Sequence, residues 1–392
     1  MSFLRLSRFA AFALVAVSAL SAVGVACSGD SAASSSTADM TATARAVRQT
    51  NSNTRSGPAL DVVGIASWIN SEPVSIQEEL DKNNVVLVDF WTYTCVNCIR
   101  TLPFLKEWEA KYKDHGLVLL GVHSPEFEFE QELENVQTAV DDLGVTWPVA
   151  LDNEMRTWNA FGNRFWPAKY LFTPEDGLEF THFGEGAYVE MEEEIRKALE
   201  GTGRDLSDIP VGTINVQPRD ETADRVTREI YGGYERGYHP QGLYAGNDEY
   251  YIEPDQVFDY VDNGEYDPQR FYLQGAWKNE AEAIVHARNT TDLSDYIALE
   301  VTARSANVVI NPKRTEPFDV FVTAEDQPLT QEEAGDDVLF DSEGRSYFHV
   351  DQPRMYRFLE QPEFKDRIIK LSSTSNNFAV YAFTFGVYQE GF

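Results

Sequence analysis

Apolar positions fall into two textures along this 392-residue chain. In the first half, continuous apolar runs alternate with segments of helical spacing. The run Val85-Val86-Leu87-Val88-Asp89-Phe90-Trp91 leads through Cys95-Val96-Asn97-Cys98 into Ile99, Leu102, Leu105 and Trp108, which predicts strand, turn and helix. Residues 116–124 (GLVLLGVHS) read as a second buried strand. Phe129, Leu133, Val136, Val140 and Leu143 then recur at helical spacing, an extra helix over the sheet. A short strand at 147–151 and a short helix at 155–161 follow. Strands at 164–173 and 178–186 flank the turn Pro174-Glu175-Asp176-Gly177, and a helix from Tyr188 to Leu199 closes the unit. Ser75-Ile76-Gln77-Glu78 fits a capping box for a short helix ahead of the first strand. Strands alternating with helices, then a hairpin and a helix, describe an α/β sandwich.

From Arg225 the texture changes to short alternating runs between turn signals: FYLQGAW, EAIVHAR, YIALEVTA, NVVIN, FDVFVTA, SYFHV, RMYRFLE, RIIKLSS and FAVYAFTFG. Many short aromatic-rich strands without intervening helices predict an all-β jelly-roll or β-sandwich domain. The expected organisation is a signal segment at 1–27, a Ser/Thr/Ala-rich tether at 28–57, the α/β domain at 58–201, a Gly/Pro/Asp-rich linker at 202–224 and the β-sandwich at 225–392.

Charge and cysteine count narrow the chemistry. With 32 Lys and Arg against 64 Asp and Glu, the formal net charge is -32. Nucleic acid and anionic membrane surfaces are thereby disfavoured as partners, and a solvated acidic surface is the plain explanation. The N-terminal segment pairs Arg5 and Arg8 with an uncharged run from Phe9 to Ala26, the pattern of a secretory signal. Val25-Ala26-Cys27-Ser28 resembles a lipobox, with Gly24 where Leu is usual, so lipidation of Cys27, ordinary cleavage and an uncleaved anchor stay open. Each of them puts the remainder outside the cytoplasm, with membrane contact through the anchor.

The only cysteines besides Cys27 are Cys95 and Cys98, and this excludes a disulfide framework. A dithiol at a helix start suits redox chemistry, because unpaired amides and the positive helix end favour a thiolate there. Cys95 is the candidate nucleophile and Cys98 the resolving thiol. The competing readings are half of a metal site or a structural disulfide; a zinc site needs about two further ligands. No cofactor is expected beyond the redox-active pair itself. Asp89, flanked by Val88 and Phe90 and six residues before Cys95, is a candidate buried proton acceptor for Cys98, against the alternative of an exposed strand aspartate. Trp91 is expected beside the active site or in the core. His123, Glu126 and Glu128 follow the second strand and are candidates to border the dithiol, while Tyr93, Asn97 and Arg100 are placed to modulate it. In the sandwich, Tyr272, Trp277, Arg304 and Tyr356 are candidates to stack on or bond a sugar, against the commoner core role of strand aromatics.

Val88-Asp89-Phe90-Trp91, the Cys95-x-x-Cys98 turn and Trp166-Pro167 ahead of a strand resemble the thioredoxin fold. The inserted helix and signal segment are similar to its extracytoplasmic TlpA-like branch. WTYTCVNCIRTLPFL, GVHSPEFEFE, ALDNEMRTWNAFGNRFWPAKYL and HFGEG, with REIYGGYERG, PRMYRFLEQP and AVYAFTFG further on, resemble the soluble C-terminal part of DipZ-type cytochrome c biogenesis proteins. The resemblance implies a cis Trp166-Pro167 bond whose loop, with Trp91, faces the substrate. It further implies a carbohydrate-binding-like sandwich, disulfide-containing extracytoplasmic proteins as substrates, and electrons from a separate CcdA-like membrane protein.

Overall fold

The computed structural model describes residues 47–48, 60–212, 214, 223–237 and 243–388. Cys27 and the expected signal and lipidation site lie outside the described residues. The first domain comprises β1 (Val47–Arg48), β2 (Ser67–Ile69), α1 (Ile76–Asp81), β3 (Val85–Trp91), α2 (Val96–Tyr112), β4 (Leu117–His123), α3 (Leu133–Asp142), β5 (Val149–Leu151), α4 (Arg156–Ala160), β6 (Ala168–Thr173), β7 (Gly177–Phe183) and α5 (Tyr188–Gly201). Its sheet runs β1-β7-β6-β3-β4-β5-β2. β3, β4 and β5 are parallel, joined by crossovers through α2 and α3, and β6 and β7 form the antiparallel hairpin.

Every residue of β3 is buried because helices cover both faces. Val85, Leu87 and Trp91 point to the side of α2, α3 and α5; Val86, Val88 and Phe90 point to the side of α1 and α4. Strand periodicity therefore puts Asp89 under α2. Ser75 caps α1, its hydroxyl accepting from the Glu78 amide, and Asp61, in place of a reciprocal Glu78 bond, accepts from the Ser75 hydroxyl and the Ile76 amide. Gly121 on β4 is needed for close approach: a Cβ there would meet the indole nitrogens of Trp91 and Trp147 at 3.0 and 3.1 Å. Of the five apolar positions assigned to the inserted helix, Phe129 instead sits in a short 3-10 turn, and Leu133 opens α3 exposed to solvent.

The second domain is all β, with one short helix: β8 (Ile230–Tyr231), α6 (Tyr234–Gly237), β9 (Val257–Tyr260), β10 (Phe271–Asn279), β11 (Ile284–His286), β12 (Tyr296–Ile310), β13 (Phe318–Ala324), β14 (Gln327–Pro328), β15 (Val338–Phe340), β16 (Ser346–Val350), β17 (Arg354–Ser372) and β18 (Ala379–Gly386). YIALEVTA and NVVIN are one strand, β12, and RMYRFLE and RIIKLSS are one strand, β17. The polar Arg304-Ser305 pair breaks the alternation without breaking the backbone. Register shifts between Ala303 and Ser305 and between Ala306 and Asn307 mark the bulge, and Gln361 of β17 bonds the Ala303 carbonyl there. β12 pairs with β10 before the bulge and with β18 after it, and so passes between the two layers of the sandwich.

The structure corrects the sugar-stacking candidates. Trp277 and Tyr356 are wholly buried and Tyr272 nearly so. Trp277 packs on His286 and Phe378, and Tyr356 donates to the Gln352 carbonyl, so neither ring offers a face to a sugar. Tyr272 accepts from the Asp267 amide, and Arg304, half-buried, donates to the Pro362 carbonyl. These aromatics are core because alternate strand positions point between the sheets.

The described residues of the two domains belong to one compact unit. Val285, Val309, Met355 and Tyr381 of the sandwich share an apolar cluster with Trp91, Phe127 and Phe129. The Tyr381 ring meets Phe127 and Phe129 edge-on at 5.3 and 4.9 Å. A shared core holds the two domains in one arrangement.

Candidate active site

Cys95 is the N-cap of α2, with extended backbone (φ -78°, ψ 111°), and its Sγ accepts the Cys98 amide at 3.2 Å. A thiolate there meets the orphan amides that begin a helix. Cys95 is partly exposed and Cys98 buried, and the two are unbridged. Burial pushes the Cys98 thiol well up from its ordinary value. The hydrogen bond and charge of Cys95 push the same way, as does the Asp89 carboxylate, while a Thr92 backbone contact opposes. One sulfur is thus accessible and the other held protonated until a base takes its proton.

Asp89 lies beneath the pair and is buried as expected. Its neighbour across the sheet is Lys169 of β6, and their charged atoms stand 3.5 Å apart, an ion pair too long for a strong hydrogen bond. Both side chains are almost fully enclosed. Burial lifts the Asp89 carboxyl to about 6, and Lys169 works against that rise. His182 of β7 is opposite Lys169 in turn, and burial, with the Lys169 cation, pushes its imidazole down to about 4. An acid, a cation and a neutral imidazole therefore form a buried row across three strands behind the dithiol. Among the described residues, no group of three or more His, Cys, Asp and Glu converges as a metal site would.

The Trp166-Pro167 bond is cis, as the resemblance implied. Trp166 is half-buried, packs against Trp158 with the rings tilted and their centroids 4.2 Å apart, and donates its indole N–H to the Ser124 carbonyl. Pro167 is buried and its carbonyl accepts from Gly184. Trp91 is a correction: at 1% exposed it belongs to the core and has no surface to give a substrate. His123 is also core. It stacks under Tyr93, contacts Thr92 Oγ1 at 3.3 Å, and is driven by burial far below its ordinary pKa.

Glu126 turns toward the sandwich, where it pairs with Arg236 and accepts from Tyr231 at 2.9 Å. Glu128 donates its backbone amide to Glu282, again across the junction. Arg100 of α2 reaches Ser305 at 3.4 Å and Glu185 at 3.9 Å, so it faces the sandwich as well as the site. Sequence reasoning missed Glu130, which is fully buried. It accepts from Thr94, the residue before Cys95, at 2.5 Å, and from the Glu126 and Phe127 amides. No sequence signal marked it: Phe127 at the N-cap of its turn lacks the side-chain oxygen of a capping box, and Glu130 alone reaches back to the Glu126 and Phe127 amides.

Burial raises Glu130 to about 7, with Glu126 adding to the rise and the hydroxyls of Thr92 and Thr94 opposing it. A carboxyl whose folded pKa is raised contributes stability below its unfolded pKa, and that stability is lost as pH climbs to the folded value. Glu130→Gln is therefore expected to flatten the fall in stability between about pH 4.3 and pH 7, by on the order of 2 kcal/mol. Urea denaturation of both proteins at pH 4.5 and pH 7.5 checks this, and parallel losses in the two would refute it.

A Redoxin family model matches residues 67–177, and a model described as "Thioredoxin like C-terminal domain" matches residues 227–386. Protein DipZ of Mycobacterium tuberculosis (strain CDC 1551 / Oshkosh) is 33% identical over 258 residues, 65% of this chain and 35% of that one. Protein SUPPRESSOR OF QUENCHING 1, chloroplastic, of Arabidopsis thaliana is 35% identical over 132 residues, covering 34% of this chain and 12% of the relative. Thiol-disulfide oxidoreductase YkuV of Bacillus subtilis (strain 168) is 26% identical over 145 residues, 37% of this chain and 96% of YkuV. The chain thus spans about a third of the length of DipZ.

Proposed function

We propose that this chain, similar to Redoxin proteins over residues 67–177 and to DipZ over 258 residues, is an extracytoplasmic thiol-disulfide oxidoreductase that reduces disulfides in other proteins. The observation that carries this reading is the asymmetric dithiol: a partly exposed Cys95 at the start of α2 and a buried Cys98 above Asp89. The Cys95 thiolate attacks one substrate sulfur, forming a mixed disulfide and breaking the substrate S–S bond. The released thiolate takes a proton from solvent. Asp89 then accepts the Cys98 proton, and Cys98 attacks Cys95 Sγ, which closes the Cys95–Cys98 disulfide and expels the second substrate thiolate. Two electrons pass from the dithiol to the substrate, and a separate dithiol donor, a CcdA-like membrane protein, restores them.

The extracytoplasmic setting is supported by Arg5, Arg8 and the uncharged run that precedes Cys27, which we propose as the lipid attachment site. We propose the sandwich as a docking module for a partner protein. Its shared core with the first domain supports a partner over a glycan, and so does the burial of its candidate sugar-stacking aromatics. The test uses the purified chain with dithiothreitol as electron source. Insulin disulfide reduction is expected to run at least tenfold above the dithiothreitol background; a rate at background, with Cys95 shown to be reduced, overturns the reading.

A further inference from the structure

Next to the dithiol, a cavity of about 370 Å³ opens between the two domains. That volume is within the range of ligand pockets, which runs from about 300 to 1,000 Å³. Tyr93, two residues before Cys95, and Ile99, which packs with Cys95 against the same apolar cluster, form its near wall. Met355 of β17 and Leu143 at the end of α3 give it an apolar lining, and Asn135 and Gln352 add amide groups of the kind that bond a peptide backbone.

Its charges are unequal. Arg354 is neutralised by Asp337 at 2.7 Å and Arg357 by Asp336 at 2.5 Å. Asp142, on the same wall as Leu143, is exposed and makes no ion pair among the described residues. It is the last residue of α3, whose final turn holds no basic residue, so the negative helix end adds to its charge. The Tyr93 ring, 4% exposed, closes the wall on the side of the cysteine turn.

We infer that this cavity receives the stretch of a disulfide-bearing polypeptide beside its reactive cysteine, and that it selects a stretch carrying lysine or arginine near that cysteine. The inference rests on the proposed reductase reading and adds the substrate class to it. Asp142 at the rim supplies the attraction, Asn135 and Gln352 the amide contacts to the peptide backbone, and Met355 and Leu143 the apolar bed. The sandwich thereby furnishes one wall of the substrate site.

The test uses the full chain, reduced, with short disulfide-linked peptides that carry Lys, Gln or Glu two positions from the cysteine. The readout is the ratio of second-order rate constants, which removes differences in intrinsic reactivity between variants. The Lys peptide is expected to react about three- to fivefold faster than the Glu peptide, the size of one partly shielded charge pair. Asp142→Lys, a solvent-exposed change, is expected to invert that order. The net charge of -32 favours cationic peptides everywhere on the surface and shifts little in this variant, so inversion isolates the local site. An equal ratio in wild type and Asp142→Lys overturns the inference and leaves the reductase reading intact. Glutathione disulfide reacting faster than every peptide overturns the polypeptide assignment. Failure of the wild type to reduce any disulfide overturns the reductase reading, and this inference with it.

Discussion

Cys95→Ser is expected to bring insulin disulfide reduction down to the dithiothreitol background, a loss of at least about tenfold, whereas Cys98→Ser is expected to trap substrate. The difference follows from the positions of the two sulfurs. Cys95 is the accessible thiol at the helix start, and a serine hydroxyl in its place is a far weaker nucleophile at neutral pH. Cys98 is 1% exposed, so the first attack falls to Cys95. Without it the first exchange still takes place, but nothing inside the site displaces the substrate, so a mixed disulfide accumulates to one per chain. Non-reducing electrophoresis and intact mass measure both outcomes. Alkylation of the native reduced wild type is expected at Cys95 well before Cys98. Full turnover by Cys98→Ser would mean that a different residue resolves the intermediate, and the roles assigned here would fall.

The second large effect concerns the buried ion pair. Removing the carboxylate alone, as in Asp89→Leu, leaves the Lys169 ammonium enclosed without its counter-ion. Breaking one side of a buried pair in this way costs about 3–5 kcal/mol. Replacing both partners, as in Asp89→Leu with Lys169→Met, removes the stranded charge. The double variant is expected within about 1–2 kcal/mol of wild type, since apolar replacement of a whole buried pair is often neutral or stabilising. Urea denaturation of the two single variants and the double closes the cycle; simple additivity of the single losses would show that the two groups do not interact. Chemistry should not recover with stability. Both Asp89→Leu variants, and Asp89→Asn, lack the proton acceptor for Cys98, and the resolving step is expected to slow by about 10²-fold or more. In the wild type that step should rise with pH through about 6, where the Asp89 carboxylate forms. A resolving rate unchanged in Asp89→Asn would remove Asp89 from the mechanism.

The local and the distant parts of this site differ in how far they can be read. The strand, turn and helix around Cys95 and Cys98 were legible because the apolar run, the dithiol and the helical spacing are contiguous in the chain. The buried position of Asp89 was legible for the same reason, since its two neighbours on the strand are apolar. Its partner was not: Lys169 lies in another strand, and only the antiparallel register of β3 and β6 brings the two together. Glu126, Glu128 and Glu130 illustrate the limit within a single segment. Alternating with phenylalanines, they look equivalent in sequence, yet one pairs with Arg236, one points out toward solvent and one is sealed under Thr94.

The sandwich shows the converse. Its β class followed from composition and short alternating runs, but alternation alone does not say which face of a strand meets the other sheet. Tyr272, Trp277 and Tyr356 were thereby open to a surface reading that burial corrects. Pattern likewise divided β12 and β17 at their polar bulges, where hydrogen bonding between the strands carries the backbone through.

The sequence by itself determined what is local: the two fold classes, the Cys95 and Cys98 pair at the start of a helix, and the buried acid on the strand before it. These depend on periodicity and on neighbours a few residues apart. Tertiary structure alone decided the Lys169 counter-ion, the buried Glu130 behind the cysteine turn, and the Tyr381 and Met355 contacts that merge the sandwich with the first domain. Each of those is a contact between segments distant in the chain, set by strand register and by which apolar faces find one another, and neither quantity is written in any single stretch of residues.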